Sequence, residues 1–451
     1  MTGSDTIAAI ATAPGRGGVA VVRVSGPDAW LVAERVSGRR IREEDAGRFF
    51  FSRFTAAPCA ATPEGGGRMA DSGLVLVFKG PRSYTGEDVV EFHGHGGSVS
   101  PRRVLEACFA AGARLANRGE FTERAFLNGR LDLGAAEAVL DLIDARTERA
   151  ADDAAARLGG AASRALEALY AATLDVSSRL EHALDFSEEE LPPDFADTLR
   201  AALGGLRAAV ERKLSTAREG RILREGARVV LAGAPNAGKS SLLNALLGTR
   251  RAIVSEAAGT TRDAIEEWVE IGGWPVRLID TAGLRAASDA VEAVGVARAT
   301  ALIDAADLVL RLVPCADAVD GQSVAGGGTE LRVWSKCDQV PDGSAPRGGV
   351  RVSAVTGEGL SELRTAIAAR LAERAAKSAE ETGVDVTTRQ KECLLAAQAA
   401  LARADDALAG TDWVVAANEL RGAAEALGRM LGKVYSDDLL DALFSRFCVG
   451  K

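Results

Sequence analysis

The chain of 451 residues carries 54 Lys and Arg against 63 Asp and Glu, a net charge of −9, and is 47% hydrophobic and 26% charged. That balance belongs to a globular protein long enough for about three domains, and it excludes a uniformly basic surface that coats nucleic acid. The start of the chain lacks a basic region followed by an apolar one, and no run of about 18 uncharged apolar residues occurs, so the expectation is a soluble, cytoplasmic protein with no membrane partner.

Residues 1–118 hold 15 Lys and Arg against 12 Asp and Glu, so an RNA partner would be met by part of the surface only. Strand-like strings at 20–24 and 74–78, between Gly- and Pro-rich turns, predict an α+β domain over 1–118. Ala- and Leu-rich stretches at 135–146 and 161–184 predict the first part of an all-α helical domain over 119–217, and the acidic run at 185–190 reads as a solvated turn. Apolar strings at 228–232, 276–279, 308–313, 330–334 and 350–352 alternate with helical ones, the pattern of a parallel sheet with crossover helices. Residues 218–376 are thus predicted to form an α/β Ras-like domain inserted into the helical one, which resumes over 377–451. The six cysteines, at 59, 108, 315, 337, 393 and 448, show no C-x-x-C spacing, so neither zinc nor a disulfide framework is expected.

Gly233-Ala234-Pro235-Asn236-Ala237-Gly238-Lys239-Ser240 matches the phosphate-binding G-x-x-x-x-G-K-[ST] between an apolar strand and the helical Ser241-Leu242-Leu243. Its backbone amides would surround the phosphates, Lys239 would reach the β/γ oxygens, and the Ser240 hydroxyl would ligate Mg²⁺. Asp280-Thr281-Ala282-Gly283 leaves the end of a strand, where the carboxylate holds the hydration shell of Mg²⁺ and the Gly283 amide meets the γ-phosphate. In Gly259-Thr260-Thr261-Arg262-Asp263, Thr261 is the expected second hydroxyl on Mg²⁺. Ser335-Lys336-Cys337-Asp338 places a carboxylate that accepts from guanine N1–H and the exocyclic amine, which favours GTP over ATP. Its first residue is commonly Asn, and Ser335 substitutes a shorter hydroxyl. Ser353-Ala354 fits the loop that supports the base. Ras-type enzymes follow Gly283 with a water-orienting Gln, whereas Leu284 makes no hydrogen bond to water, so hydrolysis must take that group from elsewhere.

With those motifs in place, the chain resembles the MnmE (TrmE) family of bacterial tRNA-modification GTPases over essentially its whole length. The likeness extends to residues 6–18, Ser83-Tyr84-Thr85-Gly86-Glu87-Asp88, His93-Gly94-His95-Gly96-Gly97, residues 119–128 and the terminal Phe447-Cys448-Val449-Gly450-Lys451. The resemblance implies an N-terminal domain that binds 5,10-methylene- or 5-formyl-tetrahydrofolate and supports a homodimer, with folate contacts on Arg23, Glu91, Arg130 and Lys451. With no third ligand nearby and glycines around them, His93 and His95 read as a turn near the folate rather than a metal site, and the resemblance implies that Cys448 lies close to the folate-borne carbon. It also implies a heterotetramer with an FAD-dependent partner, MnmG (GidA), and a 5-carboxymethylaminomethyl or aminomethyl group built on the wobble uridine of certain tRNAs. A K⁺ ion would replace the arginine finger, held by Asn236, Ser255, Ala257 and Thr260. The nucleotide contacts would then include Ser255-Glu256-Ala257-Ala258-Gly259-Thr260, and Glu292 would orient the water. The rival reading is an RNA-binding ribosome-assembly GTPase of the Era/EngA type, which predicts a G-x-x-G loop or a basic segment beside the nucleotide domain; 377–451 is instead helical and carries Asp437-Asp438.

Overall fold

The computed structural model describes residues 5–55, 69–185, 192, 194–248, 266–280, 300–317, 329–341, 348–376 and 387–451. Contacts divide the chain into two compact units, Met1–Leu140 with Leu431–Lys451, and Asp141–Met430.

Period-two burial organises the first unit. Along β2 (Ala20–Ser25), Val22 and Val24 enter the core while Arg23 points to the other face. With β1 (Ile7–Ile10), β3 (Arg48–Thr55), β4 (Met69–Phe78), β5 (Val89–Gly94) and β6 (Arg114–Leu115) it forms a six-stranded sheet of order β3-β4-β5-β2-β1-β6. All pairings are antiparallel except β1 with β6. α1 (Ala29–Ser37) and α2 (Ser100–Ala110) share one core with the sheet, where Val32, Val36, Val104 and Cys108 meet Val75, Val90 and Phe92. α3 (Glu120–Leu127) and α4 (Leu133–Asp144) follow, and the C-terminal helix Asp437–Phe444 closes on them: Leu440, Leu443, Phe444 and Phe447 pack with Phe126, Leu133 and Ala136. Each of these Leu and Phe side chains contributes roughly 1.5–3 kcal/mol when buried, which ties the C-terminal tail to the fold.

In the second unit α5 (Glu148–Leu158), α6 (Ala161–Ala183) and the 31-residue α7 (Phe195–Glu225) precede a sheet of order β12-β11-β10-β7-β9-β8. β7 (Ala227–Gly233), β9 (Trp274–Asp280), β10 (Leu308–Pro314), β11 (Glu330–Ser335) and β12 (Val350–Arg351) run parallel; β8 (Glu266–Ile271) pairs antiparallel with β9. The five expected parallel strings are all strands, while the edge strand β8 lies outside them, its alternation being short and mostly acidic. α8 (Lys239–Leu247) and α9 (Leu360–Ala376) cover the sheet, and α10 (Thr388–Ala409) and α11 (Trp413–Leu431) add to the helical part. The junction of α7 and β7 is tight: Gly226 has φ of 80°, and a Cβ there would lie 2.5 Å from the Trp268 ring. Arg146 and Arg149 stack over the Trp268 and Trp274 rings, and Ala150 and Ile222 enter the same core as β7 and β9, so helical and sheet parts share one interior. Among the described residues no helix is long and apolar enough to cross a membrane.

Candidate functional site

β7 delivers its last residue, Gly233, against the neighbouring strand, where a Cβ would meet the Leu312 carbonyl oxygen at 2.5 Å. The chain then turns through left-handed Asn236 (φ 62°) and Gly238 (φ 91°) into α8. Lys239, 7% exposed, folds back over this turn, and its Nζ donates to the Gly233 and Ala234 carbonyls at 3.0 and 2.8 Å. The ammonium is thereby held at the loop whose amides would receive phosphate. Ser240 Oγ donates to Asp280 Oδ2 at 2.7 Å, so the two groups expected around Mg²⁺ meet from the first turn of α8 and the end of β9.

The base side is tied to the same loop. Ser335, the last residue of β11, donates its hydroxyl to the buried Ala237 carbonyl at 2.7 Å. Lys336 takes the left-handed conformation (φ 57°) and turns the chain so that Asp338 follows in a short 3₁₀ segment. Ser353 Oγ donates to Asp338 Oδ1 at 2.6 Å while accepting from the Val355 and Thr356 amides, a side-chain turn that fixes the carboxylate. A cavity of about 90 Å³ opens between these elements, lined by Gly238, Ser241, Ser335, Lys336, Asp338 and Ala354. Gln339 and Val355 also line it. Neither belonged to a recognisable motif, and only their place beside Asp338 and Ala354 could have pointed to them. Ser255, Glu256, Ala257, Ala258, Gly259, Thr260, Thr261, Thr281, Ala282, Gly283 and Glu292 lie outside the described residues.

In the first unit the antiparallel register sets Arg23 opposite Glu91, on the sheet face away from α1 and α2, and Arg23 Nε donates to Glu91 Oε1 at 2.8 Å. His93, two residues along β5, lies 3.0 Å from Glu91 Oε2, while His95 pairs with Asp71 at 2.7 Å, so the two imidazoles serve different carboxylates. Burial would raise the Glu91 carboxyl, but Arg23 and His93 outweigh it and hold the group below its ordinary value. The Tyr84 ring lies under the Arg23 guanidinium, and Arg130 Nε donates to the Ser83 carbonyl one residue away. The C-terminal tail reaches the same place. Gly119 N–H donates to the Cys448 carbonyl and Phe121 N–H to that of Lys451; a Cβ on Gly450 (φ 101°) would lie 2.2 Å from the Ile10 carbonyl oxygen. Burial first, then the charge of Arg23, lowers the Lys451 ammonium, with Glu91 and Cys448 acting the other way. Arg23, Glu91 and Cys448 thus all act on the Lys451 ammonium, with Arg130 beside the adjoining turn. Tyr84 completes this cluster, and His93, expected in a turn near the folate, lies instead on strand β5, whose alternation puts it on the same face as Glu91.

Two family models match the chain: the GTP-binding protein TrmE N-terminus over residues 6–130 and the MnmE helical domain over residues 133–448. A curated tRNA modification GTPase MnmE from Symbiobacterium thermophilum is 46% identical over 475 residues, covering all of both chains. Its counterparts from Syntrophotalea carbinolica and Nitrosomonas europaea are 41% and 43% identical, again over the full length of each. Among solved structures, the G domain of the T. maritima FeoB iron transporter covers 33% of this chain at 28% identity with a TM-score of 0.22, too low to carry an argument. Phosphate loop, base turn and full-length likeness agree: the chain belongs to the MnmE family of tRNA modification GTPases.

Proposed function

We propose that the protein is a K⁺-dependent, cytoplasmic GTPase that builds a 5-carboxymethylaminomethyl or aminomethyl group on the wobble uridine of certain tRNAs. It works as a homodimer in a heterotetramer with the FAD-dependent MnmG (GidA), and takes its one-carbon unit from 5,10-methylene- or 5-formyl-tetrahydrofolate. The observation that carries the GTPase part is that one loop is bonded at both ends, through Ser240 to Asp280 on the phosphate side and through Ala237 to Ser335 on the base side. A nucleotide held by Asp338 at its base therefore presents its phosphates to Lys239 along one preorganised turn. The names of the full-length relatives support the tRNA part.

The Ser240 hydroxyl and Asp280 carboxylate suit a hard cation, and with Thr261 they would hold Mg²⁺, which neutralises phosphate charge. Asn236, Ser255, Ala257 and Thr260 would hold K⁺ beside the scissile bond. Lys239 exchanges its two carbonyl partners for phosphate oxygens, and Glu292 orients the attacking water that Leu284 leaves unassisted. Arg23, Glu91, Arg130 and Lys451 would bind the folate, their opposite charges matching its glutamate carboxylates and the pterin's donors.

Hydrolysis and folate binding test the reading together. Turnover faster in K⁺ than in Na⁺, with 5-formyl-tetrahydrofolate bound by the purified protein, is expected. Indifference to the cation removes the Asn236 site, and absence of folate binding returns the chain to the RNA-assembly alternative.

A further inference from the structure

β10 and β11 run parallel with Pro314 opposite Ser335, so the turns that leave them lie side by side. Each carries a cysteine at the start of its 3₁₀ segment, Cys315–Asp317 and Cys337–Gln339. Both thiols are buried, 5% and 3% exposed, in a pocket walled by Trp334, Val313 and Val340, and their sulfurs lie 2.6 Å apart. Cys337 also donates its S–H to the Trp334 carbonyl at 3.1 Å. The positive charge of Arg351 on β12 acts on both thiols, where it can stabilise negative charge that builds during attack. Cys315 is pushed up to about 12, first by burial and then by Cys337. In sequence Cys337 stands between Lys336 and Asp338, both lining the base cavity.

We propose that Cys315 and Cys337 are a site of oxidative modification, a dithiol whose disulfide weakens guanine-nucleotide binding. The oxidant is a peroxide. Cys337 sulfur attacks one peroxide oxygen of hydrogen peroxide, the O–O bond breaks and water leaves, giving the sulfenic acid. Cys315 sulfur then displaces the hydroxyl as a second water. Two thiols lose two protons and two electrons, and one peroxide becomes two waters. The S–S bond, about 2.05 Å, draws the two turns together and removes the S–H donor from the Trp334 carbonyl. The adjoining Asp338 is then pulled against its hydrogen bond from Ser353, the contact that orients it toward the base. By reciprocity, bound nucleotide protects the pair from oxidation. The consequence for nucleotide rests on the GTPase reading; formation of the bond does not.

The test uses the full chain, reduced and then treated with hydrogen peroxide. A mass about 2 Da lower and a peptide linking Cys315 to Cys337, both reversed by dithiothreitol, are expected. Oxidised protein should bind GDP about fivefold or more weakly than reduced protein, while Cys315→Ser and Cys315→Ala bind equally well before and after peroxide. Oxidation that yields no linked peptide overturns the proposal, as does a linked peptide with unchanged GDP affinity. Reduced wild-type protein that fails to bind GDP overturns the GTPase reading instead, and the linked peptide then tests the dithiol alone.

Discussion

Ser353, fully buried in the turn after β12, donates a 2.6 Å hydrogen bond to the Asp338 carboxylate and receives two backbone amides in return. The side chain expected to read guanine is thus oriented by a hydroxyl whose own position the backbone fixes.

Removing that hydroxyl in Ser353→Ala should weaken GDP binding by about 1–1.5 kcal/mol, roughly tenfold, with guanine still preferred. Asp338→Asn should instead move the preference toward xanthine nucleotides. Competition titrations with GDP and XDP separate the two outcomes, and an unchanged base preference in Asp338→Asn would contradict the pocket.

Ser335→Ala leaves the buried Ala237 carbonyl without its 2.7 Å donor. Such an orphaned acceptor costs about 1–3 kcal/mol, and because the carbonyl belongs to the phosphate loop the loss should appear in nucleotide affinity as well as in thermal stability. A fall in melting temperature alone would show that the bond supports the fold but not the site.

Asp280→Asn removes the charge beside Ser240. GTP hydrolysis should fall at least about a hundredfold, and the dependence of GTP binding on Mg²⁺ should flatten. An undiminished Mg²⁺ response in calorimetry would take Asp280 out of the metal site.

Gly450→Ala introduces both a strained φ and a clash with Ile10, so the tail must move and carry Lys451 with it. Folate affinity should drop about tenfold or more while GDP affinity, a property of the other unit, stays constant. Equal losses in both would point to global unfolding.

Glu91 gives a pH signature. Its folded value lies below the ordinary 4.5, so its ionised form adds stability above that pH, and the contribution is lost as pH falls through the lowered value. Wild-type protein should therefore melt higher than Glu91→Gln at neutral pH, with the gap closing below 4.5. A gap independent of pH in scanning fluorimetry would contradict the Arg23 pairing as its origin.

The nucleotide site was readable in the sequence because its turn chemistry is local: glycines at 233 and 238 meet backbone demands that no neighbour supplies, and the order of Ser240, Asp280 and Asp338 along the chain follows the order in which parallel strands return to one edge. The charge cluster of Arg23, Glu91 and Lys451 had no such signal. Its members come from β2, β5 and the C-terminal tail, and only antiparallel register and the Gly450 threading bring them together, so resemblance to a family was needed to name them. Cys315 and Cys337 are 22 residues apart, a spacing that matches no motif; they meet because β10 and β11 are neighbours in register. The strand β8 has no readable signal because Glu266, Glu267 and Glu270 leave too little apolar periodicity.

The central claim, a GTPase acting in wobble-uridine modification, is tested most directly by nucleoside analysis of tRNA from cells lacking this gene. The account predicts that 5-carboxymethylaminomethyl- and aminomethyl-type wobble uridines disappear and return when the wild-type gene, but not the Asp280→Asn variant, is restored. A normal nucleoside profile in the deletion strain would contradict it.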